Sequence, residues 1–267
     1  MRDLHTYFFN NWGTTKAVDG ISFSLRAGET LGIVGESGCG KTMTALSLLR
    51  LIPKPASRIV SGQIILDGED IVPKSDKEMR NIRGRKISMI LQDPQTSLNP
   101  VFTIGNQIRE ALGIHQTGTH KDMVSKAVAA LRSVRVAAPE RRMDDFPHQM
   151  SGGMKQRVGI ARALAVNPSI LLMDEPFSGL DPLIRRQMRL ELADLQKQIH
   201  KTIVFITHDL DEAVTVGDRI AIMRDGEIIQ IGTPQEIVLN PADDFVREFT
   251  LGVQKTKVVH AGAVASK

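Results

Sequence analysis

Cysteine and aromatic residues are scarce in this sequence. Its 267 residues include one cysteine, one tryptophan and one tyrosine, and aromatic residues make up 4% of the chain. A single cysteine excludes an internal disulfide framework and is typical of a reducing cytosol. Apolar runs such as ISMIL and ILLM are far shorter than the roughly 18 residues needed to cross a bilayer. No basic segment followed by an apolar one opens the sequence, so we expect no secretory signal.

An excess of one charge sign is also lacking. Lys and Arg total 34 against 30 Asp and Glu, which gives a formal net charge of +4. Nucleic acid or anionic lipid could explain this balance, but scattered surface lysines explain it as well, and no dense basic cluster is present. We therefore expect no nucleic-acid partner. The 42% hydrophobic content is ordinary for a globular chain of one large or two modest domains.

Glycine, by contrast, is concentrated near residues 34–49, VGESGCGKTMTALSLL. This segment fits the spacing G-x-x-x-x-G-K-[ST], and its loop consists of Gly35, Glu36, Ser37, Gly38, Cys39, Gly40, Lys41 and Thr42. Glycines let consecutive N–H groups face an anion, the lysine reaches the β- and γ-phosphates, and the threonine hydroxyl can bind Mg²⁺. A strand-like run precedes the loop and a helical run follows it, which favours a phosphate site over a glycine-rich turn with an incidental lysine.

An apolar run that ends in two carboxylates is the second chemical signal. The segment ILLMDE ends in Asp174 and Glu175. At the end of a strand, Asp174 is placed to hold Mg²⁺ through water, and Glu175 could polarise an attacking water. Acidic residues after a strand are common, so this signal gains its weight from the phosphate loop.

A second helix start lies between these two segments, in QMSGGMKQRVGIARALA. Ser151, Gly152 and Gly153 precede apolar residues at helical spacing, so they mark another potential phosphate site at a helix N-terminus. The alternative is an ordinary capped helix with glycines in the preceding loop. Two distant phosphate sites in one chain are best explained if one nucleotide is shared between two molecules.

Together these residues resemble the nucleotide-binding subunits of ABC transporters. The resemblance covers roughly residues 4–250 and rests on six ordered motifs: GESGCGKT, the glutamine in MILQDP, SGGMKQR, ILLMDEP, SGLD and ITHD. It implies that two subunits face head to tail with two ATP molecules between them. The Gly35–Thr42 loop of one subunit would hold ATP, and Ser151, Gly152 and Gly153 of the other would contact its γ-phosphate.

The resemblance also implies roles for four more positions. Gln92 corresponds to the glutamine that senses Mg²⁺ and water, so Thr42, Gln92 and Asp174 are the expected metal ligands. Glu175 corresponds to the general base. His208 corresponds to the histidine that holds the γ-phosphate, the alternative being a surface or cap histidine. Asp181 corresponds to the loop that joins one site to its partner.

An aromatic residue that stacks on adenine usually lies upstream of the phosphate loop in this family. By spacing Trp12 is the best candidate, with Tyr7 and Phe8 as rivals, and core packing of the first strand is the alternative. Three positions depart from the common family pattern: Met154 stands where glutamine is frequent, and Thr42 and Gly179 replace the commoner serine and alanine. None of these changes removes a group that the chemistry needs.

The coarse pattern predicts an α/β fold. It begins with the expected strands GISFSL, TLGIVG and GQIILDG, continues with a helix-rich middle and ends with alternating strands and helices. The resemblance specifies a P-loop NTPase core of ABC-ATPase type with an antiparallel β subdomain and an inserted helical subdomain. We assign 1–252 to this domain, with the core and β subdomain in 1–92 and 163–252 and the helical subdomain in 93–162. Residues 253–267 are expected to be a frayed tail.

The implied function is ATP hydrolysis that drives import through separate membrane permease subunits, at the cytoplasmic side of a bacterial-type cell membrane. A second ATPase subunit, identical or different, and indirectly a substrate-binding protein are the other expected partners. The first half of the sequence resembles ATPases of oligopeptide, dipeptide and nickel importers, and the second half those of glycine-betaine and other quaternary-amine importers. Because the segment after Gln92 would contact the permease and is peptide-like, we favour a peptide-type cargo, with the quaternary-amine system as the alternative.

Other classes fit less well. A soluble ABC ATPase acting on DNA or ribosomes usually has coiled-coil insertions or two fused modules. A P-loop kinase or GTPase needs neither the SGG helix nor His208. A degenerate, purely structural ABC subunit is disfavoured because Lys41, Asp174, Glu175 and His208 are all present.

Overall fold

The computed structural model describes residues 1–92, 97–116 and 118–252. In chain order the first elements are β1 (Arg2–Asn10), β2 (Gly13–Ile21), β3 (Thr30–Gly35), α1 (Lys41–Leu48), β4 (Ser57–Gln63), β5 (Ile65–Leu66), β6 (Glu69–Asp70), α2 (Asp76–Ile82) and β7 (Ile87–Ile90). These are followed by α3 (Ile104–His115), α4 (His120–Ser133), α5 (Pro139–Arg142), a 3₁₀ turn (Pro147–Gln149), α6 (Gly152–Ala165), β8 (Ile170–Asp174) and α7 (Pro182–Ile199). The last elements are β9 (Thr202–Thr207), α8 (Leu210–Val216), β10 (Arg219–Arg224), β11 (Glu227–Gly232), α9 (Pro234–Leu239) and α10 (Asp244–Thr250).

Most expected elements are present, and two differ. The strand expected at GQIILDG is divided between the end of β4 and the short β5, and the run ends in a turn. The run TLGIVG forms β3, and the helical pattern at KDMVSKAVAALRSV forms α4, whose N-cap Thr119 accepts a hydrogen bond from the backbone N–H of Asp122. The strand expected at GISFSL is wrong, because β2 already ends at Ile21. Only the first two residues of that run belong to the β2 strand, which pairs with β1 along Gly13–Ile21.

The chain packs as two units, and the first comprises Met1–Met79 and the described residues from Thr202 onward. Within it β3 lies between β10 and β9, both parallel to it, and β11 joins β10 antiparallel. Strands β3 and β9 are buried along their whole length, as expected of parallel strands covered on both faces. A separate antiparallel sheet has the order β2–β1–β4, which agrees with the expected β subdomain.

The second unit comprises Arg80–Lys201. Its strands β7 and β8 are parallel, with Ile90 opposite Met173. Helices α3, α4 and α6 pack on one another through buried apolar side chains, among them Ile108, Leu112, Ala127, Leu131, Val158 and Ala161. These residues recur at helical spacing on one face of each helix, which is why the helices associate.

The predicted helical subdomain, 93–162, falls inside this second unit, but the unit also includes β7, β8 and α7. The boundaries at residues 93 and 162 therefore stay a prediction. The expected frayed tail, 253–267, lies outside the described residues, as do 93–96 of the segment after Gln92. In the parts of the chain that the structure describes, no helix is both long and apolar enough to span a membrane.

Candidate functional site

The glycine-rich loop connects β3 to α1 in the first unit. Strand β3 ends at Gly35, and α1 begins at Lys41 with Gly40 as its N-cap residue. On the side of β2, the carbonyl oxygen of Ala17 approaches Gly40, and on the side of β10 the backbone N–H of Gly226 donates to the Cys39 carbonyl over 3.0 Å. The loop is therefore held on two sides by backbone.

Two of the loop glycines have no room for a side chain. A Cβ on Gly35 would lie 2.3 Å from the carbonyl oxygen of Met223. Gly40 has a φ of +105°, and its Cβ would lie 2.1 Å from the Ala17 carbonyl oxygen. These two positions thus require glycine because neighbouring backbone lies close to them. The close approach of an anion, which the motif predicts, is a second reason.

Lys41 lies inside the loop and is 5% exposed. Its Nζ donates to the carbonyl oxygens of Gly35 and Glu36 at 2.8 and 2.7 Å. Among the described residues no carboxylate forms an ion pair with it. A buried ammonium whose oxygen partners are neutral carbonyls attracts an anion strongly, because its charge is not compensated.

The Cys39 thiol also lies within the loop and is 7% exposed. Burial raises its pKa, and the Lys41 ammonium, whose Nζ is 3.9 Å from the sulfur, only partly opposes this effect. The thiol is therefore protonated at neutral pH, so this cysteine acts as a small apolar side chain in the loop.

His208 directly follows β9, which pairs with β3. Val34 lies opposite Thr207 in this parallel pair, so the phosphate loop and His208 leave the two strands side by side. The turn is fixed by its neighbours: Asp209 caps α8, and the Thr207 hydroxyl donates to Glu212 over 2.7 Å. Asp209 occupies the cap position, so His208 is not the cap residue, and its side chain is exposed.

The three candidate adenine-stacking residues lie at different places in the β1–β2 hairpin. Trp12 is in the turn and is 96% exposed. The Tyr7 hydroxyl donates to Asp19 over 2.6 Å, so its polar end is engaged on the hairpin itself. Phe8 shares a strand face with Thr6, whose hydroxyl bonds that of Ser47 in α1 over 2.9 Å.

Distances along β2 separate Phe8 from Trp12. Phe8 lies opposite Thr15, which is about 7 Å along the strand from Ala17, the residue that contacts Gly40. Trp12 lies in the turn before β2, five residues from Ala17, and its side chain is almost fully exposed. The geometry therefore favours Phe8, one of the rivals, while the role of Trp12 stays a prediction.

In the second unit, parallel strands bring Gln92 and Glu175 together. Gln92 follows β7 and Glu175 follows β8, and the Gln92 Nε2 donates to the Glu175 Oε2 over 3.2 Å. Asp174, the last residue of β8, is 2% exposed. Glu175 has a φ of +43°, a conformation that costs a non-glycine residue about 1–3 kcal/mol and that concentrates at functional sites.

Two further residues contribute to this site: Ser178, the first residue of the SGLD motif, to which the sequence analysis gave no role, and Arg185, which it missed. The Ser178 hydroxyl lies 3.1 Å from the carbonyl oxygen of Glu175 and 3.5 Å from that of Gln92. The Arg185 guanidinium donates to the carbonyl oxygens of Ser178 and Leu180 at 3.1 and 3.2 Å. Serine is a common turn residue, which is a weak local signal for Ser178, but nothing local in the sequence identifies Arg185.

Ser151, Gly152 and Gly153 form the start of α6, as expected. The Ser151 hydroxyl accepts the backbone N–H of Met154 at 3.3 Å, and Ser151 and Gly152 are exposed. A Cβ on Gly153 would lie 2.9 Å from Ile184 Cγ2, and one on Gly152 would lie 3.7 Å from Leu180 Cδ2. Gly153 is therefore also required for packing against the start of α7.

Asp181 caps α7, because its Oδ1 accepts the backbone N–H of Ile184 at 3.1 Å. Its carboxylate thus has a structural role besides the one implied by the family. The nearby Gly179 is exposed, and a Cβ there would meet no atom within 4 Å. An alanine fits at this position, so the departure from the family pattern is not required by packing.

The residues present fit a nucleotide phosphate and Mg²⁺. The loop glycines leave space that a Cβ would fill, and Lys41 supplies a buried cation. Within the described residues there is no cluster of three or more histidine, cysteine or carboxylate groups that could hold a metal. A few oxygen ligands are enough for Mg²⁺, because it keeps waters and binds the phosphates of its nucleotide. Thr42 in the first unit and Gln92 and Asp174 in the second are oxygen donors of the required kind.

Comparisons with known proteins concern the family and the fold of the chain. The family model described as "ABC transporter" matches residues 18–178. The chain is 43% identical over 247 residues to a probable peptide ABC transporter ATP-binding protein of Sinorhizobium fredii, covering 92% of this chain and 74% of that one. It is 45% identical over 256 residues to the glycine betaine/proline betaine transport ATP-binding protein ProV of Escherichia coli, covering 96% of this chain and 61% of ProV.

A solved structure is similar as well. It is the dimeric post-hydrolysis state of an ATP-binding cassette bound to ADP and Pi, with a TM-score of 0.76 and 28% identity over 87% of this chain and 97% of that one. These matches confirm the resemblance and the fold class predicted from the motifs, including the similarity to both peptide and betaine systems.

Proposed function

The chain belongs to the ABC transporter family, whose ATP-binding domains hydrolyse ATP, and from this premise we propose that it powers uptake of a peptide-type cargo through separate membrane subunits. The observation that carries the proposal is the buried Lys41 ammonium, which has carbonyl partners but no ion-paired carboxylate among the described residues. Such a group binds phosphate tightly. In this proposal the protein works at the cytoplasmic side of the cell membrane.

Each unit supplies its own groups to the reaction. In the first unit, Lys41 and the loop N–H groups bind the phosphates, and His208 holds the γ-phosphate. In the second unit, Glu175 acts as general base towards the attacking water, and Gln92 orients its carboxylate through the 3.2 Å hydrogen bond. Bound Mg²⁺, with Thr42, Gln92 and Asp174 as its protein ligands, would neutralise charge that develops on the phosphates.

The proposed active form is a dimer. Ser151, Gly152 and Gly153 lie at the exposed start of a 14-residue helix, where backbone N–H groups and the helix dipole favour an anion. In a head-to-tail dimer these groups would contact the ATP held by the other subunit, and Asp181 would join the two sites. The dimeric state of the similar cassette bound to ADP and Pi supports this arrangement.

We propose Phe8 as the residue that stacks on adenine, with Trp12 as the alternative. Stacking of a base on an aromatic side chain contributes about 1–3 kcal/mol, so Phe8→Leu should weaken ATP binding roughly fivefold or more. Trp12→Leu should have little effect. A second test is to titrate the protein with ATP while recording Trp12 emission. A large change in emission, together with an unaltered ATP affinity of Phe8→Leu, would return the role to Trp12.

A membrane permease is the proposed partner of the second unit. Val101 and Phe102 are 71% and 49% exposed, although both are apolar. They adjoin a groove of about 380 Å³ that Phe102, Gln107 and Met123 help to line. An exposed apolar surface beside a groove is typical of a protein interaction site. The peptide-like sequence around these residues supports a peptide-type permease, and the 45% identity to ProV supports the quaternary-amine alternative.

Nucleotide-driven dimerisation tests the ATPase proposal. Glu175→Gln should bind Mg-ATP without rapid hydrolysis, so light scattering on a sizing column should detect a dimer with ATP and a monomer without it. Lys41→Ala in the same background is the control and should stay monomeric. A Glu175→Gln protein that binds ATP yet remains a monomer would contradict the shared site.

Co-expression tests the cargo class. The chain should co-purify with the membrane subunits of a peptide importer. Co-purification with betaine-type membrane subunits alone would favour the quaternary-amine alternative. Hydrolysis with neither would favour a soluble, non-transport ATPase.

A further inference from the structure

An ion pair that is largely shielded from solvent joins α6 and α7. Arg157 Nη1 lies 2.6 Å from Glu191 Oε2, and each side chain is only 14% exposed. The same Nη1 donates to the carbonyl oxygen of Val134, at the end of α4, over 2.8 Å. The guanidinium therefore links three helices of the second unit.

Further contacts fix Glu191 in its place. Its Oε1 accepts from Gln187 Nε2 at 2.9 Å, and the Arg135 guanidinium lies 3.8 Å away. Burial opposes ionisation of this carboxyl, but the hydrogen bonds from Arg157 and Gln187 and the charges of Arg157 and Arg135 together outweigh it, so the pKa of Glu191 is below its ordinary value. The pair is thus charged at neutral pH and has a defined geometry on both sides.

The same two helices also meet at their N-termini. Gly153 of α6 packs so closely on Ile184 of α7 that a Cβ would lie 2.9 Å from the Ile184 Cγ2. Arg157 is one helical turn after Gly153, and Glu191 is two turns after Ile184. The helices are therefore joined at two levels: an apolar contact at their starts and an ion pair farther along.

Both helix starts carry groups assigned to the shared site. Ser151, Gly152 and Gly153 open α6, and Asp181 caps α7. A shift in the angle between the helices would move one group relative to the other. Misplacement by about 1 Å can cost 10²-fold in rate even when the altered residue is far from the chemistry.

We propose that Arg157 and Glu191 are positioning residues for ATP hydrolysis, which hold the Ser151–Gly153 end of α6 in register with the Asp181 end of α7 so that both can engage a second subunit. The inference rests on the proposed ATPase function and deepens it. It also predicts a separation of effects. The loop around Lys41 binds ATP in the first unit, so loss of the pair should affect turnover and dimerisation rather than nucleotide affinity.

Two variants and a control test the proposal in the full-length chain. Glu191→Gln removes the charge and keeps the shape. Arg157→Met combined with Glu191→Leu replaces the pair by apolar side chains, a change that is often neutral or stabilising for the fold. Glu140→Gln is the control. It removes the charge of Glu140 from an exposed ion pair with Arg132, in which the Arg132 side chain is 66% exposed and the Glu140 side chain is 62% exposed. The measurements are kcat, KM, ATP affinity and the thermal midpoint.

Glu191→Gln should lower kcat at least about tenfold while KM and ATP affinity stay within twofold. The double variant should keep the thermal midpoint of the wild type and still have a low kcat. Its apolar side chains maintain the stability of the fold, but they do not hold the starts of α6 and α7 in register. Placed in the Glu175→Gln background, both should reduce the ATP-dependent dimer. Glu140→Gln should match the wild type throughout.

Three outcomes would overturn the inference: wild-type kcat in the double variant, wild-type kcat in Glu191→Gln, or losses of kcat that follow the midpoint alone. These outcomes can be interpreted only if the wild type hydrolyses ATP and the Glu175→Gln protein dimerises in the presence of ATP. If neither activity is found, the proposed function itself fails, and the two failures are thereby distinguished.

Discussion

Replacing Gly40 by alanine tests whether backbone packing, as well as phosphate binding, requires the glycine. Gly40 has a φ of +105°. Holding an L-residue in such a conformation lowers the free energy of unfolding by about 1–3 kcal/mol. The new Cβ would also lie 2.1 Å from the Ala17 carbonyl oxygen. This oxygen is a backbone atom of β2, and the residues on either side of it, Lys16 and Val18, pair with β1. It has little freedom to move away, so overpacking adds about 1–3 kcal/mol.

Gly38 is the matched control in the same loop. It also has a positive φ, +83°, but a Cβ there would meet no atom within 4 Å. Gly38→Ala should therefore lower the free energy of unfolding by about 1–3 kcal/mol, through backbone strain alone. Gly40→Ala should lower it by about 2–6 kcal/mol, through backbone strain and overpacking together. The difference between the two variants isolates the contact with Ala17.

Thermal unfolding without nucleotide is the assay, because bound ATP would add its own stabilisation. At about 2–4 °C per kcal/mol for a chain of this size, the midpoint of Gly40→Ala should fall roughly 2–12 °C below that of Gly38→Ala. Equal midpoints would refute the packing argument and leave phosphate binding as the reason for the glycine.

Three further predictions concern the same unit and the Asp181 loop. Gly179→Ala should raise the free energy of unfolding by about 0.4–1 kcal/mol, because the position is open; denaturant unfolding measures this, and a loss would show that the loop needs glycine. The Cys39 thiol, whose pKa burial raises, should react slowly with a maleimide at pH 7.5 and quickly in urea; rapid labelling of the folded chain would contradict its burial. Hydrogen bonds from Tyr7 and then Lys16 lower the pKa of Asp19, so its stabilising effect should be full above about pH 4 and lost as the pH falls further. The midpoint difference between wild type and Asp19→Asn should therefore shrink between pH 7 and pH 3, and a constant difference would rule out the ionised carboxylate as its source.

Local patterns determined much of the phosphate loop and the strand ends. The apolar run TLGIVG, the glycines and Lys41 predicted a strand, a loop and a helix, and the structure has β3 and α1 on either side of that loop. Likewise ILLMD forms β8 and TIVFIT forms β9. These features depend on backbone preference and apolar spacing within a few residues, and such information is present in the sequence.

The limit of such patterns is visible in the N-terminal hairpin. GISFSL alternates like a strand, yet β2 ends at Ile21 because its pairing with β1 ends there. Trp12 has a suitable spacing from the motif in sequence, but the structure places it in the exposed turn before β2, five residues from Ala17. Strand pairing decides such questions, and pairing is not local.

The sequence by itself thus determined the family and the fold class, and it predicted which groups hold phosphate and metal. Only the tertiary structure decided which of them meet: Gln92 with Glu175, Ala17 with Gly40, and Arg157 with Glu191. The members of these pairs are 83, 23 and 34 residues apart. Their contacts depend on how strands and helices pack, which residue types and local spacing do not specify.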